Sequence, residues 1–138
     1  MNVTQVAYVA GVIDSLARVR IRDTDDGTRL AVVAISSPKL DLLRTVAQLT
    51  GVRVVRVRRH YGRVGCTVHC DEPHLHVESD TGRWELVGAR AVIVLTAVRP
   101  YLVTLADEVD AVLRVTRKAP SKPATIRKMH ALGWEVAA

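Results

Sequence analysis

Three groups of residues in this chain are of types that can do chemistry. The first is arginine on alternate positions: Arg18, Arg20 and Arg22 in RVRIR, then Arg56, Arg58 and His60 in VRVVRVRRH. In a strand, residues two apart share a face, so turning Val19, Ile21, Val55 and Val57 toward a core leaves these cations together on the other side. Guanidinium forks match the O6 and N7 acceptors of guanine and grip phosphates, so a two-stranded basic ribbon points to duplex DNA. A solvated sheet face is the plain alternative, but neighbouring like charges repel unless an anion lies among them. The second group is CTVHCDEPHLHVE, with Cys66, His69, Cys70, His74 and His76. That density of thiols and imidazoles is what a zinc site uses, although the spacing fits no standard finger; the alternative is a β-extension with ordinary polar histidines and partly buried thiols. The third is Asp14, the lone acid in the apolar run YVAGVIDSLA. An anion near a helix C-terminus needs a hydrogen bond or a cation, and Arg18 is the partner the sequence offers.

The elements that position these groups follow from periodicity and punctuation. Asn2 and Gln5 form an N-cap with its reciprocal partner and open a helix over 3–15. On it Ala7, Ala10, Gly11 and Asp14 fall along one stripe, smooth enough for another backbone to approach. Residues 18–22 and 28–36 form a hairpin about the Asp25-Asp26-Gly27 turn, which makes the acids there turn residues. Ser37 and Pro38 then cap a second helix whose apolar face is Leu40, Leu43, Val46 and Leu49, closed by Gly51. A second hairpin repeats the plan, pairing 52–60 with 82–88 around the Cys/His insert. Residues 89–102 fit either a buried strand or a buried helix stopped at Pro100. Thr104 with Asp107 gives a capping box for a helix to about Arg117, and 123–133 forms a last short helix. The basic segment 118–138, with Lys118 and Lys122, is either a phosphate-contacting arm or a solvated helix anchored by Ile126, Met129 and Trp134. The order predicts an α+β fold, an antiparallel sheet covered by helices on one face.

Composition bounds the rest. A chain of 138 residues, 49% hydrophobic and 25% charged, is one globular domain, and with 4% aromatics and no Phe its core is aliphatic. The net charge of +6 favours an anionic partner. The absence of a signal sequence or an 18-residue apolar run predicts a cytoplasmic protein with no membrane partner, in which two cysteines make no disulfide framework.

VAGVIDSLA, residues 9–17, preceded by Tyr8 and followed by a charged strand, resembles the signature of the LAGLIDADG homing endonuclease family. RWELVGARAVIVLTAVRPYL is similar to that family's strand, turn and helix, which makes 89–102 a helix. The resemblance covers roughly residues 3–117 and implies a LAGLIDADG-like αββαββα domain over 1–117. It further implies that motif helices of two protomers pack through their small residues. A single motif then means a homodimer with Ala7, Ala10, Gly11 and Asp14 at the seam, on a pseudo-palindromic duplex. The departure is chemical: the family's metal-binding acid aligns with Leu16 and its last glycine with Ala17, while Asp14 matches the structural acid. Mg²⁺ needs hard oxygen ligands, which leucine lacks. The expectation is a double-stranded-DNA-binding protein, a regulator or phage-type protein, that has lost nuclease activity and needs no cofactor. The rival is a metal-dependent endonuclease with Asp14 holding Mg²⁺ across the dimer; the third reading is a fold reused for a protein partner. TRLAVVAIS, apolar on both faces, offers few groups for direct base readout.

Overall fold

The computed structural model describes residues 1–60, 76–116 and 122–136, with backbone and register alone for 57–60 and 76–80. Its elements are α1 (Val3–Leu16), β1 (Arg18–Asp23), β2 (Arg29–Ser37), α2 (Leu40–Thr50), β3 (Val55–His60), β4 (His76–Val87), α3 (Ala89–Val98) with a 3₁₀ turn (Arg99–Tyr101), α4 (Ala106–Thr116) and α5 (Pro123–Ala131). This is a mixed α+β fold whose four antiparallel strands run in the order β1-β2-β4-β3. The two helix–hairpin units therefore meet through their second strands, which puts β2 and β4 at the centre and β1 and β3 at the edges.

Local chemistry explains most element ends. The Asn2 side chain accepts from Gln5 N at 2.9 Å while Gln5 Oε1 accepts from Asn2 N at 3.0 Å, the reciprocal cap expected of α1. At the first hairpin, the Asp26 carboxylate accepts from Thr28 N and from the Thr24 hydroxyl. These bonds hold the Asp26 carboxyl down at about 2, with the Thr24 hydroxyl as the main cause. Gly51 ends α2 at φ 75°, the left-handed region that a Cβ disfavours. Two starts differ from expectation. Ser37 is the last residue of β2, its Oγ accepting from Lys39 N at 3.1 Å, and α2 starts at Leu40 after a Lys39 cap without a side-chain bond. At α4, the Thr104 amide donates to Asp14 together with those of Val103 and Leu105, so a tertiary cap stands where the box with Asp107 was expected.

The helices pack on the sheet face formed by Val19 and Ile21 of β1, Ala31, Val33 and Ile35 of β2, and Trp84 and Leu86 of β4. Helix α3 buries Ala91, Ile93, Val94, Leu95 and Val98 and touches α1, α4, α5, β2 and β4. Its all-round apolarity, which defeats a periodicity argument, is what a central helix requires. The last turn of α2 takes both indoles: Trp84 Nε1 donates to Thr50 Oγ1 at 2.9 Å and Trp134 Nε1 to Leu49 O at 2.9 Å. Met129 and Trp134 thus join the same core as the rest of the chain, fixing α5 within the helix layer.

Candidate nucleic-acid interface

The register of the first hairpin sorts its arginines. Arg18 lies opposite Ala34, Arg20 opposite Val32 and Arg22 opposite Leu30, while the alternate pairs Val19–Val33 and Ile21–Ala31 face the helices. Directly opposed residues share a face, so all three arginines stand on the side away from the helices, as alternation predicts. The β2–β4 register adds to that side Arg83 opposite Ser36 and Glu85 opposite Ala34. The side chains of Arg20, Arg22 and Arg83 are 52%, 41% and 43% exposed. Arg83 and Glu85 were not singled out from the sequence. The alternation in RWELV, with Trp84 and Leu86 inward, was the signal that could have found them.

Glu85 organises this face. Its Oε2 accepts from Arg83 Nη2 at 2.7 Å, its Oε1 from Arg22 Nη2 at 3.3 Å, and Arg20 Nη2 lies 3.9 Å from Oε2. The Arg83 bond, helped by that from Arg22, holds the Glu85 carboxyl below the usual carboxylate range. Arg22 and Glu85 sit at the register positions of Leu30 and Ala34, so their bridge passes diagonally over Val32, between those two. Val32 is fully buried although no described helix covers it.

The second hairpin departs from expectation. Arg56 pairs with Gly82 and Val55 with Arg83. A Cβ on Gly82 would meet Leu40 and Leu43 of α2 and Val54, all within 3.1 Å, so Gly82 and its partner Arg56 lie on the helix-covered side. Val55 takes the outward place instead and is 64% exposed. The assignment of Arg56 to the cation face is therefore corrected. Two valines in succession, Val54-Val55, make both alternation phases available, and the one that buries Val54 against α2 wins. A register shift separates Arg56 from Arg58, after which Arg58 pairs with Glu78 and His60 with His76. Lys118 lies outside the described residues. Lys122 is exposed at the start of α5, which packs on α3 and so belongs to the helix layer, apart from the arginine face.

The stripe on α1 divides. Ala10 is buried in the chain's own core, whereas Gly11 is exposed with open space where a Cβ would be, and Ala7 is half-buried beside the exposed Tyr8. Asp14 does not pair with Arg18. Its Oδ1 accepts from Leu105 N at 2.8 Å and its Oδ2 from Thr104 N at 3.1 Å and Val103 N at 3.2 Å. Those amides open α4, whose unpaired N–H groups and positive dipole end favour an anion. The bonds from Leu105 and then Thr104 lower the Asp14 pKa. Leu16, two residues on, is 42% exposed and its side chain carries no oxygen.

The proposed zinc ligands Cys66, Cys70 and His74 lie outside the described residues, and His76 is placed only by its pairing with His60. Among the described residues no three His, Cys, Asp or Glu side chains gather as a metal site would need, and no helix is long and apolar enough to cross a membrane. No protein-family model matches the chain, and neither a curated protein nor a solved structure matches it at a significant level.

Proposed function

We propose that this chain is a LAGLIDADG-like protein that binds duplex DNA through the sheet face that no described helix covers, as a homodimer, and does not cleave it. The observation that carries this reading is the guanidinium cluster: Arg18, Arg20, Arg22 and Arg83 share one face with a single carboxylate, Glu85, among its described side chains. Several exposed cations on a stiff antiparallel scaffold suit a phosphate backbone, which supplies most of the affinity in such complexes. Leu30, Val32 and Ala34 between them are apolar, so base edges meet few hydrogen-bonding groups and shape contributes more than direct readout.

The dimer is supported by Ala7 and Gly11, which leave a smooth outward strip on an apolar helix. Ala10, committed to the chain's own core, takes no part in it. The lack of cleavage is supported by Leu16 at the position of the metal-binding acid and by the engagement of both Asp14 oxygens with α4.

The test is a salt titration of duplex affinity for the wild type and for the double variant Arg20→Ala/Arg83→Ala. Each lost phosphate contact flattens the log–log slope by about 0.9, so the variant flattens it by about two if one chain engages the duplex and by about four if two do. Wild-type binding that is salt-independent, or a slope unchanged in the variant, overturns the reading. Nicking of bound duplex in Mg²⁺ that disappears in Asp14→Asn overturns the non-cleaving part alone.

A further inference from the structure

Three of the four arginines placed on the open face, Arg20, Arg22 and Arg83, gather about one carboxylate. Glu85 holds one guanidinium from its own strand and one from β1, two strands away, with a second β1 guanidinium at 3.9 Å. Converging guanidinium groups on two oxygens of one anion is the arrangement that Arg clusters offer a phosphate. We propose that Glu85 is an internal stand-in for a DNA phosphate, a carboxylate that gathers Arg20, Arg22 and Arg83 in the free protein and competes with the duplex for them.

Geometry and magnitude both favour competition over simple support. The Arg22–Glu85 bridge lies diagonally across β2 above Val32, while Arg83 meets Glu85 along their own strand, so one carboxylate holds two guanidiniums together. Glu85 takes one N–H of Arg22 Nη2, which leaves a phosphate fewer donors on that guanidinium while the bridge lasts. The exchange is feasible because ion pairs this exposed are individually weak. While Glu85 stays charged, its own repulsion from an incoming phosphate adds to the donors it withholds. The device sets the affinity of the face low and makes the first phosphate contact an exchange of one anion for another. It also keeps three neighbouring cations from repelling one another in the free protein.

This inference rests on the open face being the duplex-contacting surface, so its test uses two probes, a short duplex and heparin. Glu85→Gln keeps the shape and removes the charge. The affinity for both probes is expected to rise roughly three- to tenfold at fixed salt, as the loss of one like charge a few ångströms from the ligand implies. The salt slope is expected to steepen by about one per chain. Glu85→Asp, which keeps the charge on a shorter stem, is expected to fall between the two and guards against a folding defect in the first variant, with thermal melts of both as the check. Equal or weaker binding of both probes by Glu85→Gln overturns the proposal, since a carboxylate that only positions arginines weakens binding when neutralised. If neither protein binds duplex but Glu85→Gln grips heparin more tightly, the internal anion stands and the duplex reading fails.

Discussion

The two faces of the central sheet are built from the same strands and obey different physics. On the helix side, Trp84 and Leu86 of β4 are almost wholly buried with Val33 and Ile35 of β2, and the one polar atom of Trp84 is satisfied by Thr50. On the other side, β4 carries Arg83 and Glu85, joined to each other and to Arg22 of β1 by part-exposed ion pairs. The covered face makes the fold and the open face makes the surface. A substitution on the first should appear in stability, and one on the second in binding at nearly constant stability.

The sharpest way to break that contrast is Trp84→Ala, which removes the largest side chain of the covered face and the bond its indole donates to Thr50 Oγ1, whose hydroxyl keeps its own bond to Val46 O. A loss of about 3–5 kcal/mol is expected in urea unfolding, the range for large-to-small core changes. A loss under about 1 kcal/mol, the range of ordinary surface substitutions, would mean that the covered face does not carry the fold.

Asp14 comes next, since it ties the end of α1 to the start of α4 from a half-buried position. Asp14→Ala is expected to lower the melting midpoint by about 4 °C, in line with the loss of a helix cap. The pH dependence has a definite sign. A carboxyl whose pKa is lower in the folded state than its ordinary value of 3.8 stabilises fully above that value. That contribution is lost as pH falls through the folded value. Below pH 3.8 the wild type should therefore lose part of its advantage over Asp14→Asn, and a difference that stays constant with pH would remove the charge from the account.

The smallest stability effect sharpens the contrast from the other side. Arg20→Ala/Arg83→Ala, the variant expected to flatten the salt slope, should unfold within about 0.5 kcal/mol of the wild type, because exposed ion pairs contribute little. A large destabilisation would give the open face a structural duty and blur its reading as a binding surface.

Much of this was legible in sequence where the determinants are local. The first hairpin is fixed by a period of two and a turn with its own hydrogen bonds, so Arg18, Arg20 and Arg22 could be assigned a face from a few neighbouring residues. Arg56 could not, because Val54 and Val55 permit either phase and the choice belongs to α2, through Leu40 and Leu43 against Gly82. Arg83 and Glu85 stood in a recognisable strand. Nothing in its alternation says that β4 lies between β2 and β3, where Glu85 reaches arginines of both β1 and β4.

The sequence by itself determined the α+β class, the element order, the cap of α1 and the alternation that separates arginine from valine in β1. Each rests on interactions between residues a few positions apart. Only the tertiary structure decided that Asp14 serves amides some ninety residues away rather than the nearby Arg18, and that Ala10 turns inward while Gly11 turns out. It alone brought one carboxylate into the middle of the cations. Those outcomes depend on which distant backbone presents unsatisfied donors and which strand becomes a neighbour, and chain packing sets both.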